Sequence, residues 1–511
     1  MTAASTTAPA DLRGAAASKV MKPRNGPVAV VDIGSNSVRL VIYEAFSRSP
    51  AVVHNEKAIC AIGRDMVSTG QLHREGMKLA LEALARFRML ADANHVEARE
   101  AVATAAARDA GNGQEFIRQA EVAWGGPIRI LSGEEEARLA AEGVVAGTPT
   151  ADGLVADLGG GSLDMVTVKA GRTGQALTLP IGPLRLMDAA KGDPDKGRDI
   201  ADAQLDNLDV LGQLKGRSLY AVGGAWRSFA RLDMEDTGYR LHVLHNYEIP
   251  ASRAIKLCKV VSRLSRKSLD KMKIISRRRA EALPFGAIVL ERLLLAAELK
   301  EVVISAYGLR EGLLYVDLPP EERAKDPLIA FAAASNARIS RTPVHAEEVF
   351  QWSAPLFAEE SAELQRIRHA VCLFSDIGWR RHPDERALGS FTQVLTAPFA
   401  GAGHRARAII ATAVFHRYSG DEDHPREIAL GDLLTGEDGA LALRMGLAVR
   451  LAFALSASAI GELPHYRLRM TPTRLLLEIS RRREMIAGEP VQKRLGELAA
   501  VFGRKAEILI T

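Results

Sequence analysis

The chain has 511 residues, of which 47% are hydrophobic and 25% charged, a composition that is ordinary for a globular protein with buried cores. At roughly 150 residues per domain, this length predicts about three domains. The net charge of +5 suits an anionic ligand. Three widely spaced cysteines without a C-x-x-C pair argue against a disulfide framework or a zinc site and indicate reduced thiols in a cytoplasmic protein. No apolar run approaches the roughly 20 residues of a membrane span, so we expect no membrane partner. We also expect no nucleic-acid partner.

An internal repeat follows an Ala/Ser/Thr-rich segment, residues 1–26, that we expect to be a flexible tail. VAVVDIGSNSVRLVIYE (28–44) and GLVADLGGGSLDMVTV (153–168) align at an offset of 125 residues, which pairs Asp32 with Asp157 and Ser37 with Ser162. Each copy is an apolar strand, a Gly/Ser turn and a second apolar strand, which predicts a β-hairpin. Two matched hairpins predict two related domains.

The rest of the chain alternates helix and strand signals up to about residue 316. A helix is predicted over 75–94, with Leu79, Leu84 and Met89 among its apolar positions, and 100–110 is predicted to be a strand entering a loop. An acidic helix is expected to start at Glu134, and two strand, glycine-turn and helix units follow at 218–232 and 301–315. This alternation predicts α/β layers. Residues 317–327 resemble a linker, and the remainder has helical spacing and a single short strand signal at 506–510.

The two turns have the chemistry of a phosphate site, because glycine lets the backbone approach an anion and consecutive N–H groups form an anion nest. The carboxylates Asp32 and Asp157 precede the turns, and carboxylates of this kind suit Mg²⁺ bound together with substrate phosphates. Arg39 and Asp164 occupy equivalent positions in the two hairpins, so one copy offers a cation and the other a carboxylate. The candidate phosphate-binding residues are Ser35, Asn36, Ser37, Arg39, Gly160, Gly161, Ser162, Gly223 and Gly224.

Six motifs together resemble the exopolyphosphatase/guanosine pentaphosphate phosphatase family of the actin-like ATPase superfamily. They are DIGSNSVRL, TAAARDA, LSGEEEAR, DLGGGSLD, a Gly-Gly turn and GLREGLLY, in this order within residues 27–316. The resemblance implies an α/β fold with two duplicated actin-like (RNase H-like) domains, 27–134 and 135–316, and a cleft between them. It also implies a mainly helical, degenerate HD-like domain over 328–511 and a homodimer.

The resemblance also assigns roles to individual residues. Glu136 corresponds to the base that activates water, and Arg108 and Arg39 correspond to arginines that contact phosphates. Asp157 and Asp164 correspond to residues that serve Mg²⁺ and position water, although the family usually has Glu where this chain has Asp164. The third turn lacks a hydroxyl because Ala225 stands where the family usually has Thr. We expect crowding by Glu134 and Glu135 to raise the pKa of Glu136.

The C-terminal region departs from a metal-binding HD domain. Ser375 and Asp376 stand where such a domain has His-Asp, and His369, His382 and His416 do not restore a ligand set, so no metal is expected there. Arginines are instead predicted to line a path for a long polyphosphate. In this region they are Arg380, Arg381, Arg405, Arg407 and Arg417, and Arg277 and Arg278 lie in a basic run, 256–279, with ten Lys/Arg against one Asp.

The expected function is that of an exopolyphosphatase, which removes terminal phosphate from inorganic polyphosphate with Mg²⁺ as cofactor. A guanosine pentaphosphate 5′-phosphatase would use the same residues, and the sequence separates the two poorly. A polyphosphate:ADP phosphotransferase and a non-catalytic polyphosphate or nucleotide sensor are the remaining alternatives. The changes at Asp164 and Ala225 motivate the sensor.

Overall fold

A computed structural model of the chain describes residues 26–511 except 65, 207, 273, 276–279 and 420–432. Its N-terminal part contains a five-stranded sheet of order β3-β2-β1-β4-β5. The strands are β1 (Val28–Ile33), β2 (Ser37–Tyr43), β3 (Val52–Ile59), β4 (Ala98–Ala103) and β5 (Arg129–Ile130). The helices of this part are Met66–Thr69, Arg74–Ala93, Ala105–Asp109 and Gly113–Trp124. The segment predicted as a strand and a loop therefore continues from β4 into a short helix.

A second sheet repeats the central arrangement of the first. Its order is β10-β11-β9-β6-β7-β8, and β6 pairs antiparallel with β7 and parallel with β9, as β1 does with β2 and β4. The strands are β6 (Gly153–Leu158), β7 (Leu163–Lys169), β8 (Arg172–Leu179), β9 (Ser218–Gly223), β10 (Tyr247–Pro250) and β11 (Glu301–Ile304). The helices around it are Pro183–Ala189, Pro194–Leu205, Asp209–Gly212, Gly224–Thr237, Ala251–Val261, Arg266–Asp270 and Leu283–Ala296.

Two helices, Gly133–Gly147 and Leu309–Asp317, cross between the sheets. Leu313 and Leu314 pack with residues of β1 and β2, whereas the first helix packs against the second sheet. The helices touch at backbone distance, because a Cβ on Gly312 would overlap the carbonyl oxygen of Leu139 and a Cβ on Gly143 would overlap that of Gly308. The predicted domain ends at 134 and 316 both fall inside these two helices.

The C-terminal region is helical with a small sheet at its end. Its α-helices are Pro320–Arg323, Pro327–Ile339, His345–Ser353, Ala362–Phe374, Arg386–Leu395, His404–Tyr418, Gly436–Ser456 and Glu489–Val501. Short 3-10 helices span Ala354–Phe357, Pro383–Glu385, Leu463–His465 and Arg481–Ala487. The sheet has the order β12-β13-β14, formed by β12 (Tyr466–Met470), β13 (Arg474–Ile479) and β14 (Lys505–Ile510). Only β14 was expected from the sequence.

The helix Gly436–Ser456 is, within the described part of the chain, the one helix long and apolar enough to cross a membrane by length and composition. Over half of its apolar window is buried inside the protein, as in the core helix of a soluble domain. Its residues Met445, Leu451 and Ala452 belong to the largest hydrophobic core, which joins it to the neighbouring helices of the C-terminal region.

The C-terminal region contacts both sheet-bearing halves. Arg48 from the β2–β3 loop donates a hydrogen bond to the Lys325 carbonyl and another to the Ala146 carbonyl at the end of the helix Gly133–Gly147, both at 2.9 Å, and Arg338 pairs with Glu44 at 2.5 Å. At the same helix end, the Gly401 N–H donates to the Gly147 carbonyl at 2.8 Å. The Asn246 side chain donates to the Ala402 carbonyl at 3.1 Å.

We expect Gly143→Ala to weaken the helix crossing, because its new methyl group would enter the Gly308 backbone. Overpacking of this kind costs about 1–3 kcal/mol, and the displaced group here is backbone, so the upper end applies. Urea unfolding of the two proteins measures the loss. Gly496→Ala is the matched control, since it also lies in a helix but has open space around its Cβ, and it should be neutral or stabilising. Equal stability of the two variants would contradict the close crossing.

Candidate active site

A cavity of about 500 Å³ lies between the two sheets, and both hairpin turns line it. A Cβ on Gly160 would lie 3.1 Å from the Oγ of Ser35, so the two turns face each other directly. All of the residues predicted for catalysis, for the metal and for phosphate binding at the turns line this cavity. They are Asp32, Ser35, Asn36, Ser37, Arg39, Arg108, Glu136, Asp157, Gly160, Gly161, Ser162, Asp164, Gly223 and Gly224.

The segment at residues 60–63 forms backbone hydrogen bonds with the first turn. The Asn36 carbonyl accepts from the N–H groups of Cys60 and Ala61, and the Ser35 carbonyl accepts from Gly63. Because a trans peptide is planar, the N–H groups of Asn36 and Ser37 point away from that segment. The second turn closes in the same way as the first, with the Gly159 N–H bonded to the Ser162 carbonyl at 3.1 Å and Gly34 to Ser37 at 3.0 Å. Both turns thus present backbone donors of the kind that bind anions.

The acidic triplet at the start of the helix Gly133–Gly147 is divided among three tasks. Glu135 closes a capping box with Ser132, whose N–H it accepts at 2.8 Å, and exposed Glu134 bonds Arg138. Glu136 alone of the three lines the cleft. The local sequence therefore fixes which glutamate faces the substrate: the N3 position is used by the cap and the next residue projects inward.

Glu136 has a strongly raised pKa, of about 9, but the cause differs from the one expected. Burial contributes most, followed by the negative charges of Asp164, Asp157 and Asp32. Glu134 and Glu135 do not produce the shift, because one is paired at the surface and the other caps the helix. The guanidinium of Arg108 lies 3.7 Å from the Glu136 carboxylate and lowers its pKa in part.

The aspartates of the hairpins form the rest of the acidic cluster. Burial raises the pKa of Asp157 to about 7, with Asp164 as the next cause, and burial also raises the pKa of Asp32 and of Asp164. Asp164 is 4% exposed; its Oδ2 accepts from the Ser162 hydroxyl at 2.9 Å, and its buried Oδ1 has no hydrogen-bond partner. An orphaned buried carboxylate oxygen beside other carboxylates fits a bound cation. Within the described residues, however, no three potential ligands are close enough to hold a metal ion by themselves.

The third turn is shaped by Gly223, whose φ is +112° and whose Cβ would lie 2.5 Å from the Leu158 carbonyl oxygen. Only glycine fits this left-handed position beside β6. A Cβ added to Gly286 would lie 2.9 Å from the Ala225 Cβ, so the Ala225 methyl group faces the helix that contains Gly286. Ala225 does not line the cavity. The hydroxyl that the family usually has here is therefore replaced by an apolar contact with the helix Leu283–Ala296.

Three arginines that the sequence did not single out also line the cleft, Arg185, Arg227 and Arg310. Arg310 Nη1 lies 3.4 Å from Asp32 Oδ2. Arg227 and Arg310 each follow a glycine near the end of a strand, Gly223 at the end of β9 and Gly308 after β11. This position was the signal available in the sequence, since a side chain just after such a turn projects from the strand end where ligands bind.

The comparisons with known proteins agree with this arrangement. Residues 41–321 match the Ppx/GppA phosphatase family, and residues 328–509 match the exopolyphosphatase C-terminal family. The chain belongs to the Ppx/GppA phosphatase family. The resemblance of the motifs and the predicted fold class are thereby confirmed.

Several individual proteins are similar to this chain, each over a different share of its length. Exopolyphosphatase 2 of Mycobacterium tuberculosis is 26% identical over 311 residues, which are 56% of this chain and 97% of that protein. Retrograde regulation protein 2 of Saccharomyces cerevisiae is 27% identical over 467 residues, 81% of this chain and 77% of that protein. The crystal structure of the Aquifex aeolicus family member is 26% identical with a TM-score of 0.50 and covers 57% of this chain and 96% of its own. An exopolyphosphatase from Cytophaga hutchinsonii, 23% identical with a TM-score of 0.53 over 57% of this chain and 97% of its own, shows the same fold.

Within the described part of the chain, the arginines predicted for a polyphosphate path do not line the cleft. Arg405 pairs with Asp438, Arg381 donates to Gln393, Arg380 lies over the ring of Trp379, and none of the three lines the cavity. Arg277 and Arg278 lie outside the residues that the structure describes.

Two further path residues were predicted wrongly: Arg407 is buried within the C-terminal region, and Arg417 is half-buried with its guanidinium against an aromatic ring. Arg407 donates to the carbonyl oxygens of Leu395, Ala397 and Phe399, and Arg417 stacks on Phe453. Their guanidinium groups satisfy internal carbonyls or cover aromatic rings rather than facing solvent.

Asp376, at the HD-like position, is 4% exposed and is held by an arginine. Arg341 donates to it from the backbone N–H at 3.1 Å, from Nε at 3.0 Å and from Nη2 at 2.6 Å. A bidentate guanidinium thus neutralises this carboxylate.

We expect Glu136→Gln to stabilise the metal-free protein in a pH-dependent way. The Glu136 carboxyl keeps its proton up to about pH 9 in the folded protein but only up to about 4.5 when unfolded. Wild-type stability therefore falls as the pH rises through this window, and a glutamine avoids the loss. The unfolding free energy of the variant should exceed that of the wild type by at least about 2 kcal/mol at pH 8 and by little near pH 5.

Chemical denaturation in EDTA at several pH values measures this difference. Glu134→Gln, in the same helical turn but exposed, is the control and should follow the wild-type pH profile. Parallel profiles for wild type and Glu136→Gln would contradict the raised pKa.

Proposed function

We propose that this chain is an exopolyphosphatase that hydrolyses the terminal phosphoanhydride bond of inorganic polyphosphate and releases orthophosphate. The observation that carries the proposal is the half-buried carboxylate Glu136, which lines the same cleft as the two phosphate-type turns and lies 3.7 Å from Arg108. A base so placed can take a proton from water while the turns hold the phosphoryl group. Membership of a phosphatase family and similarity to exopolyphosphatases support this choice.

The residues of the cleft divide the reaction among them. The N–H groups and hydroxyls of the two turns, with Arg39 and Arg108, bind the phosphoryl oxygens and stabilise the charge that builds up on them. Glu136 accepts the proton of the attacking water. The partial burial of this carboxylate raises its pKa and so maintains its affinity for a proton.

We propose Mg²⁺ as the cofactor, with Asp157 and Asp164 as its protein ligands and Asp32 nearby. The orphaned Oδ1 of Asp164 and the mutual repulsion of the carboxylates support this assignment. Mg²⁺ binds proteins through one or two carboxylates plus water and substrate phosphates, which suits a site without a complete protein ligand set. When bound, the ion would neutralise phosphoryl charge and lower the pKa of Glu136 towards the neutral range.

A non-catalytic sensor of polyphosphate or nucleotide is the second candidate. The relative that covers the largest share of this chain among those described, Retrograde regulation protein 2 of yeast, is named as a regulator and is similar across both the cleft and the C-terminal region. A sensor would use the same turns to bind phosphates but would not release orthophosphate.

The deciding experiment offers the protein long-chain polyphosphate, guanosine pentaphosphate, and polyphosphate with ADP, each with Mg²⁺, and measures orthophosphate and ATP. We expect orthophosphate from polyphosphate, with a higher kcat/KM than from guanosine pentaphosphate. ATP formation would instead indicate the phosphotransferase. Binding of polyphosphate without any product would support the sensor and overturn the proposal.

Glu136→Gln should lower kcat by about 10²–10⁴-fold with little change in KM, the usual contribution of a general base. In the wild type, kcat should decline as the pH falls through the neutral range, because only the ionised carboxylate accepts a proton and its pKa is raised. Steady-state phosphate release against pH measures both effects. Glu134→Gln should keep wild-type kinetics, and a Glu136→Gln variant that also kept them would rule out this base.

Mg²⁺ should raise the melting temperature of the protein in the absence of substrate, because binding relieves the repulsion among the carboxylates. Asp164→Asn removes the orphaned oxygen's charge and should reduce the Mg²⁺-induced shift to less than half. A thermal melt with and without Mg²⁺ tests this independently of activity. An undiminished shift in Asp164→Asn would place the ion elsewhere.

A further inference from the structure

Arg227 is an arginine of the cleft that forms no ion pair within the part of the chain that the structure describes. It lies in the first turn of the helix Gly224–Thr237, and its side chain lines the cleft. Among the described residues no carboxylate forms an ion pair with it, and its buried Nε has no hydrogen-bond partner. A buried guanidinium normally has its donors satisfied, so this side chain is arranged for a group that comes from outside the protein.

A second arginine reinforces the positive charge at this place. Arg310, with 13% of its side chain exposed, contacts Asp32 through Nη1, and its buried Nε also lacks a partner. Burial and then the charge of Arg310 lower the pKa of Arg227 to about 10. Two guanidinium groups this close repel each other, and a phosphate between them would reverse that cost.

The strand order of the second sheet places Asp157 between Arg227 and the base Glu136. Arg227 follows β9, and β6, which ends in Asp157 and Leu158, lies between β9 and β7. The helix that carries Glu136 begins beside β8, at the far end of this order, where a Cβ on Gly133 would lie 3.0 Å from the Thr178 Oγ1. The cleft therefore has one end with Arg227 and another with the proton-accepting Glu136.

In-line phosphoryl transfer requires such a division, because the attacking water and the leaving oxygen lie on opposite sides of the phosphorus. Water enters at the Glu136 end. The leaving group must then depart towards Arg227 and Arg310.

We propose that Arg227, with Arg310 beside it, binds the phosphate on the leaving side of the scissile bond, as a second subsite distinct from the terminal-phosphate turns. The inference rests on the proposed hydrolysis for its direction. The water oxygen bonds to the terminal phosphorus, its proton passes to Glu136, and the bridging P–O bond breaks. The electron pair of that bond leaves on the shortened chain, whose new negative charge meets the two guanidinium groups.

Calorimetry in a Glu136→Gln background with Mg²⁺ tests the subsite without turnover. Tripolyphosphate and pyrophosphate fill both subsites, whereas orthophosphate fills only the terminal one. Adding Arg227→Gln should weaken tripolyphosphate and pyrophosphate binding at least about tenfold, the effect of losing a charged hydrogen bond, and change orthophosphate binding less than about threefold. Arg227→Lys should restore part of the affinity, because it returns the charge but not the bidentate geometry.

Arg231→Gln is the matched control, one turn further along the same helix and outside the cavity lining, and should leave all three affinities unchanged. Arg227→Gln removes the repulsion with Arg310 as well as the attraction to Asp157, so its melting temperature should stay close to that of the wild type, which separates a binding loss from misfolding. If Arg227→Gln weakened the binding of orthophosphate and tripolyphosphate equally, Arg227 would belong to the terminal subsite and the inference would be overturned. Unchanged binding of both ligands, or no tripolyphosphate binding by either protein, would also overturn it. If the wild type releases no phosphate but binds tripolyphosphate through Arg227, the subsite stands and the proposed hydrolysis fails.

Discussion

The backbone contact between the helices Gly133–Gly147 and Leu309–Asp317 positions the reactive groups of the cleft. Gly143 and Gly312 allow the two helices to cross without intervening side chains, so the distance between the sheets is fixed by main-chain atoms. Each helix begins at the cleft, one with Glu136 and the other with Arg310. The base and one of the cations are therefore held by elements that cannot slide past each other without breaking the crossing.

Within this frame the cleft concentrates charges that destabilise the folded protein when no ligand is bound. Burial and mutual repulsion hold the pKa of Glu136 at about 9 and that of Asp157 at about 7. Clusters with such shifts are typical of functional sites, where local stability is given up for reactivity. The crossing helices supply the rigidity that lets the cluster persist, because Leu313 and Leu314 bury their side chains against the first sheet.

Much of this site was predictable because each hairpin is formed by residues that are close together in the sequence. The hairpins follow from an apolar run, a glycine-serine turn and a second apolar run, and a strand end fixes the direction of the carboxylate that precedes each turn. The cause of the Glu136 pKa shift was not predictable, since its strongest neighbours lie in other strands rather than in the adjacent sequence. Arg227 was missed for a related reason: an arginine in a first helical turn looks like a surface residue unless the partner strands are known.

In the C-terminal region, by contrast, several predictions from the sequence were wrong. Arg407 and Arg417 were expected at the surface, but carbonyl oxygens surround the buried Arg407 and the ring of Phe453 covers the half-buried Arg417. The helix Arg74–Ala93 was predicted well, yet Leu79 and Met89 are exposed while small residues such as Ala80 and Ala83 face the core. Strands β12 and β13 are rich in leucine and arginine, which favour helices. The weak strand signal in the sequence was the alternation of apolar residues with arginine in β12, YRLRM.

The contacts of Arg48, Arg338 and Gly401 have a mechanical consequence. They join the C-terminal region to the β2–β3 loop and to the end of the helix Gly133–Gly147, and Arg48 also joins that loop directly to the helix through the Ala146 carbonyl. Any motion of the first sheet relative to this helix must therefore stretch or break these contacts.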